Sequence, residues 1–140
     1  RGQTVEQFSP EPVRRVVSAH TAAVMRRILK TVITEGGTGV NAALDGYSVC
    51  GKTGTAQKID DSGTYARDRY LSSFVGFAPA DQPELAVLVI VDEPKVKSYG
   101  GIVAAPAFRQ ITLETLSYLK IPPGPDADRL RVSRGNGASG

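Results

Sequence analysis

Apolar residues recur at three- and four-residue spacing after Ser18: Ala22, Met25, Ile28, Leu29 and Val32. That spacing predicts an amphipathic helix with Ser18 as its N-cap. Arg26, Arg27 and Lys30 fall on the opposite side, and Gly36-Gly37 predicts the helix stop. A short segment from Val40 to Leu44 leads to the turn dipeptide Asp45-Gly46. Three extended segments then follow, at 47–56, 70–78 and 85–91, in the order of an antiparallel meander. The third, Leu85 to Val91, is an unbroken apolar run and predicts a strand covered on both faces. Polar residues 57–69 read as a connecting loop, and residues 92–103 as a second, glycine-rich one. Pro106 suits the first turn of a last helix, whose buried side is Phe108, Ile111, Leu116 and Leu119, and Pro122-Pro123 ends it. Helix, three strands, helix predicts an α+β layer: an antiparallel sheet flanked by helices.

At 140 residues, the chain is sized for one domain or a piece of one. Hydrophobic residues make up 41%, enough for a core and too many for disorder over most of the length. No apolar run approaches membrane-spanning length and no signal-like start is visible. The chain opens on Arg1 in a polar segment, which reads as a piece of something longer, with any anchor outside it. Residues 124–140, rich in Gly, Ser and Arg, read as a flexible tail.

Net charge is +3, but the basic residues do not cluster, and nine aromatics without tryptophan give little to stack on. Nucleic acid is therefore not an expected partner. One cysteine excludes an internal disulfide or a cysteine-rich zinc site. Cys50 reads as a buried inert thiol, and His20, without a partner in sequence, as a structural or surface residue. No metal or cofactor is called for.

The one dense motif is Gly51-Lys52-Thr53-Gly54-Thr55. It has two mechanistic readings. Gly46 to Thr53 matches the phosphate-loop pattern G-x-x-x-x-G-K-[ST]. That loop must follow a buried strand and open a helix, whereas a glycine-rich turn precedes this one and a polar segment follows. The second reading puts the motif on an edge strand beside a groove. There Lys52 attracts an anionic substrate terminus, and the Thr53 and Thr55 hydroxyls bind its carboxylate. Gly54 lets a substrate backbone approach, and a backbone N–H points at a developing oxyanion.

The motif resembles the K-[ST]-G box of the penicillin-binding transpeptidases. Its flanks agree in order: Glu35 to Gly39 before it; Phe74-Val75-Gly76-Phe77-Ala78-Pro79 and the Leu85–Val91 strand after it; then Tyr99-Gly100-Gly101 and Ala104 to Phe108. The whole set, over roughly residues 12–123, is similar to the C-terminal end of class B penicillin-binding proteins, above all the division-specific D,D-transpeptidases. The resemblance implies a penicillin-binding, serine β-lactamase-like fold, of which residues 1–123 are the C-terminal part. It implies acyl transfer through a serine that cross-links peptidoglycan stem peptides and is acylated by β-lactams. Lys52 then supplies charge and helps organise a proton relay. Thr53 and Thr55 bind the substrate carboxylate, and the Thr55 N–H forms half of the oxyanion hole. Gly54 keeps the strand open, and Gln57 lines the groove.

Two family motifs are missing. The nucleophile's Ser-x-x-Lys should lie upstream at a helix start, and a Ser-x-Asn should follow it. Ser117-Tyr118-Leu119-Lys120 lies downstream, at the end of the last helix, and reads as coincidence; no Ser-x-Asn occurs. The expected partners are therefore the absent N-terminal part of the same protein, stem peptides and β-lactams, with no membrane contact from this chain. The expected location is the periplasm or the outer face of the cytoplasmic membrane. The chain alone is expected to be inactive, and to expose an apolar face where its other half is absent. A non-catalytic sensor of β-lactam or cell-wall peptide, a D,D-carboxypeptidase or β-lactamase, and a nucleotide-binding protein remain the alternatives.

Overall fold

A computed structural model describes Ser9 and residues 11–124. The expected tail lies outside the described residues except for Gly124, whose N–H donates to Gly46 O at 3.0 Å.

Helix α1 spans Ala19–Thr31, and the Ser18 hydroxyl accepts from the Thr21 N–H at 3.0 Å, as an N-cap should. The helix stops earlier than expected. Its C-cap is Val32, and a turn intervenes before Gly36, which takes φ +79°. Its orientation also differs from the predicted stripe. Lys30 Nζ reaches the Asp81 carboxylate at 2.8 Å and Arg26 donates to Asp81 O at 3.1 Å. These ties hold the basic side toward the 79–83 turn, so Met25 and Ile28 remain exposed.

The three strands are β1 (Cys50–Ile59), β2 (Tyr65–Ala78) and β3 (Leu85–Asp92), antiparallel in the order β1-β2-β3. The predicted meander is present, but the 57–69 loop is not. Its residues extend β1 and β2 into a long hairpin with a register shift between Gln57 and Ile59. The turn is closed by Asp60, whose Oδ1 accepts from the Ser62 N–H at 2.9 Å and the Thr64 N–H at 3.2 Å. Polarity misled the loop assignment because both faces of this ribbon are largely solvated, so apolar alternation is absent. Lys58 ties the ribbon to β3, reaching Asp92 at 3.0 Å and Glu93 at 2.8 Å.

β3 is covered on one face only. Leu85, Val87, Val89 and Val91 turn inward, while Leu88 and Ile90 are exposed. Residues opposite one another in an antiparallel pair share a face. Val75 pairs with Leu88, so Leu71, Val75, Leu88 and Ile90 form one exposed apolar surface. α1 covers only the end of that face, where Cys50 Sγ donates to Arg26 O at 3.3 Å. Burial raises the Cys50 pKa, so the thiol stays protonated and inert at neutral pH.

The other face carries the core. Helix α2 (Gly100–Val103) runs into α3 (Ala105–Tyr118), which packs on the sheet through Ala105, Phe108, Thr112 and Leu116. Phe108 meets Phe74 with ring centroids 4.7 Å apart. Ile111 and Leu119, expected inside, are half exposed, because the buried stripe runs through Thr112 instead. Segment 32–49 closes this layer with Ile33, Ala42, Leu44, Tyr47 and Val49. Arg109 pins α3 to it, donating to Ala43 O at 2.9 Å and pairing with Asp45 at 3.0 Å.

The Lys30 ammonium holds the Asp81 carboxyl below the usual carboxylate range. A folded-state pKa below the unfolded one contributes stability that is complete above the ordinary range and is lost as pH falls through the depressed value. Asp81 is 72% exposed, so the contribution is under about 1 kcal/mol. Thermal unfolding from neutral to acidic pH should therefore show a slightly shallower acid decline in Asp81→Asn than in the parent; an identical decline would remove this assignment.

Candidate active site

Lys52 to Gln57 lie in β1, an edge strand of the three-stranded sheet. The phosphate-loop reading fails here. Residues 50–59 are continuously extended and open no helix, so their N–H groups do not converge on a phosphate.

Alternation along β1 places Thr53, Thr55 and Gln57 on one side of the strand and Lys52 and Gly54 on the other. Lys52 is exposed, its Nζ donates to Thr53 O at 2.9 Å, and among the described residues it pairs with no carboxylate. An unpaired ammonium at a strand edge is free to meet an anion. The Thr53 hydroxyl lies 3.1 Å from that of Thr38, so the Gly36–Gly39 stretch stands beside the motif. Gly54 has a packing reason as well as a functional one, since a Cβ there would press on Ser73 Oγ. Gln57 is exposed, and its side-chain amide donates across the hairpin to Ala66 O at 3.3 Å.

Thr55 is exposed but lightly held. Its hydroxyl donates to Ser98 O at 3.4 Å and accepts from the Gly100 N–H at 3.4 Å. Both are longer than the usual range for a hydroxyl hydrogen bond. Ser72, opposite Thr55 in the β1–β2 register, donates to the same Ser98 carbonyl. The turn carrying Ser98 approaches so closely that a Cβ on Gly100 would collide with Ser73 O and Gly54 O. One on Gly101 would collide with Thr38 O.

The structure thus surrounds the motif with Thr38, Ser72, Ser98, Gly100 and Gly101. Sequence reasoning gave none of them a role. Tyr99-Gly100-Gly101 was a visible flank, but the Ser72–Thr55 pairing depends on a register that spacing alone does not supply. Ser117 is in the last turn of α3, not at a helix start.

With its flanks, this strand matches known proteins. The family model for the penicillin binding protein transpeptidase domain matches residues 3–113. Stage V sporulation protein D of Bacillus subtilis is 46% identical over 122 residues, which is 86% of this chain and 19% of that protein. Peptidoglycan D,D-transpeptidase FtsI of Escherichia coli is 35% identical over 136 residues, 94% of this chain and 23% of that protein. The crystal structure of penicillin binding protein 3 of Mycobacterium tuberculosis, complexed with ampicillin, superposes with a TM-score of 0.75 at 37% identity. That match covers 89% of this chain and 29% of the other. The chain therefore spans about a fifth of the length of these two curated relatives.

Proposed function

The chain belongs to the penicillin-binding transpeptidase family, with the fold of its transpeptidase domain and relatives among the class B enzymes; on that premise we propose that it is one wall of a serine D,D-transpeptidase site. Residues 1–123 belong to the C-terminal part of the transpeptidase domain. The nucleophilic serine comes from the N-terminal part of the same protein, which also covers the apolar surface of Leu71, Val75, Leu88 and Ile90. The intact protein works in division, anchored at the outer face of the cytoplasmic membrane.

In this reading the serine oxygen bonds to the carbonyl carbon of the penultimate D-Ala of a stem peptide. The carbonyl oxygen takes up negative charge, and the Thr55 N–H donates to it. The intermediate collapses, the C–N bond breaks, and terminal D-Ala leaves with the proton given up by the serine. Lys52 helps organise that proton's transfer. An amine of a neighbouring stem peptide then attacks the ester, forms the cross-link and returns the serine. The Thr53 and Thr55 hydroxyls hold the terminal carboxylate while Gly54 keeps the strand accessible and Gln57 borders the groove. A β-lactam carries a carboxylate and a reactive carbonyl in the same relation, so it acylates the same serine.

The observation that carries this reading is the extended edge strand presenting an unpaired ammonium and two alcohols within a chain of this family. Fluorescent penicillin should label the intact protein on a serine outside this chain, and a stem-peptide analogue should release D-Ala repeatedly. Labelling within residues 1–140, or none, would contradict the assignment. Single acylation without turnover would make the protein a sensor.

A further inference from the structure

Thr55 and Ser72 face one another across β1 and β2 and share one acceptor, the Ser98 carbonyl. Their surroundings differ. Ser72 is 0% exposed, whereas Thr55 opens to solvent. A buried hydroxyl without a partner carries an uncompensated desolvation cost, so Ser72 is committed to Ser98. Thr55 holds the same oxygen only at 3.4 Å and can exchange it for water or ligand.

We infer that Ser72 is a positioning residue for Thr55: by satisfying the Ser98 carbonyl, it leaves the Thr55 hydroxyl proton for a ligand carboxylate. A hydroxyl has a single proton to donate. Without Ser72, the part-buried Ser98 carbonyl keeps Thr55 as its remaining hydroxyl donor among the described residues and draws that proton away from the groove. The Gly100 N–H, 3.4 Å from Thr55 Oγ1, is as weak a contact as the one to Ser98 and leaves the hydroxyl free to turn between the two claims that compete for its proton. Asn41 Nδ2, donating to Gly101 O at 2.8 Å, ties the segment after Ser98 to the 32–49 layer and holds the Ser98 turn where that competition arises. This inference rests on the carboxylate-binding reading of Thr55 given above.

The test measures penicillin acylation of the intact protein by stopped flow, resolved into a dissociation constant and a chemical rate. Ser72→Ala should weaken binding by about tenfold, the effect of one lost charge-assisted hydrogen bond, with little change in the chemical rate. Ser72→Thr should restore binding. The double variant of Ser72→Ala with Thr55→Ala should bind no more weakly than Thr55→Ala alone, because the two changes remove one interaction. A penicillin with its carboxylate esterified should not distinguish Ser72→Ala from the parent. Should Ser72→Ala not fold, Ser72→Cys fills the site with a slightly larger side chain, weakens the donor and should give the same defect. Normal binding by the Ser72 variants, or an effect additive with Thr55→Ala, would overturn the inference while leaving Thr55 in place. Normal binding by Thr55→Ala would overturn the reading of Thr55 and this inference with it.

Discussion

Lys52→Ala in the intact protein should slow acylation by penicillin on the order of 10²–10⁴-fold, the range for losing a group that organises proton transfer. Its stability should hardly move. Lys52 is exposed, makes no ion pair among the described residues and donates to the adjacent Thr53 carbonyl. Surface changes of this kind lie within about 0.5 kcal/mol. Lys52→Arg keeps the charge but places a planar guanidinium where a compact ammonium stands, so it should recover ligand attraction better than the acylation rate. Stopped-flow acylation beside a thermal melt separates the two effects. An acylation rate within about tenfold of the parent's would remove Lys52 from the proton relay.

Phe74→Ala should do the opposite, costing about 3–5 kcal/mol of stability. Phe74 is fully buried and meets Phe108 with the two rings tilted by 58°, and its ring occupies the places where side chains at Gly39 and Gly51 would otherwise sit. It pairs in register with Thr53, so the ring supports the strand from the core side of the sheet. Removing it leaves a cavity that the glycines cannot fill, because they have no side chains to move into it. Chemical denaturation should show a lowered midpoint with an unchanged slope. A midpoint unaltered by the substitution would mean that this aromatic pair does not hold the layer together.

The elements were legible where pattern and punctuation agreed. Ser18 marked the start of α1, the apolar run at 85–91 marked β3, and Pro106 marked the opening of α3. Orientation was harder to read. The α1 stripe through Met25 and Ile28 is a real periodicity, yet the ties of Arg26 and Lys30 to Asp81 turn it outward here. The apolar run of β3 does not say which of its residues form the exposed apolar face expected of this chain, since a run without alternation specifies no face; Leu88 and Ile90 do. The 57–69 ribbon reads as a loop in sequence because its strands are solvated and its turn depends on one carboxylate, Asp60.

The motif itself was visible because lysine, two threonines and a glycine fall within four consecutive residues. Its extended geometry removed the phosphate-loop alternative. Its surroundings were not visible. Thr38 reaches Thr53 across a stretch of loop, and Ser98 reaches Thr55 from the segment after β3. Those contacts arise from sheet register and from glycines that permit close backbone approach, and neither is written in local spacing.

The most direct measurement is a crystal structure of the intact protein acylated by penicillin. The account predicts the antibiotic joined to a serine outside this chain and lying along β1, with its carboxylate about 3 Å from the Thr53 and Thr55 hydroxyls. An adduct whose carboxylate is held elsewhere, with the Lys52–Gln57 strand facing no ligand, would contradict it.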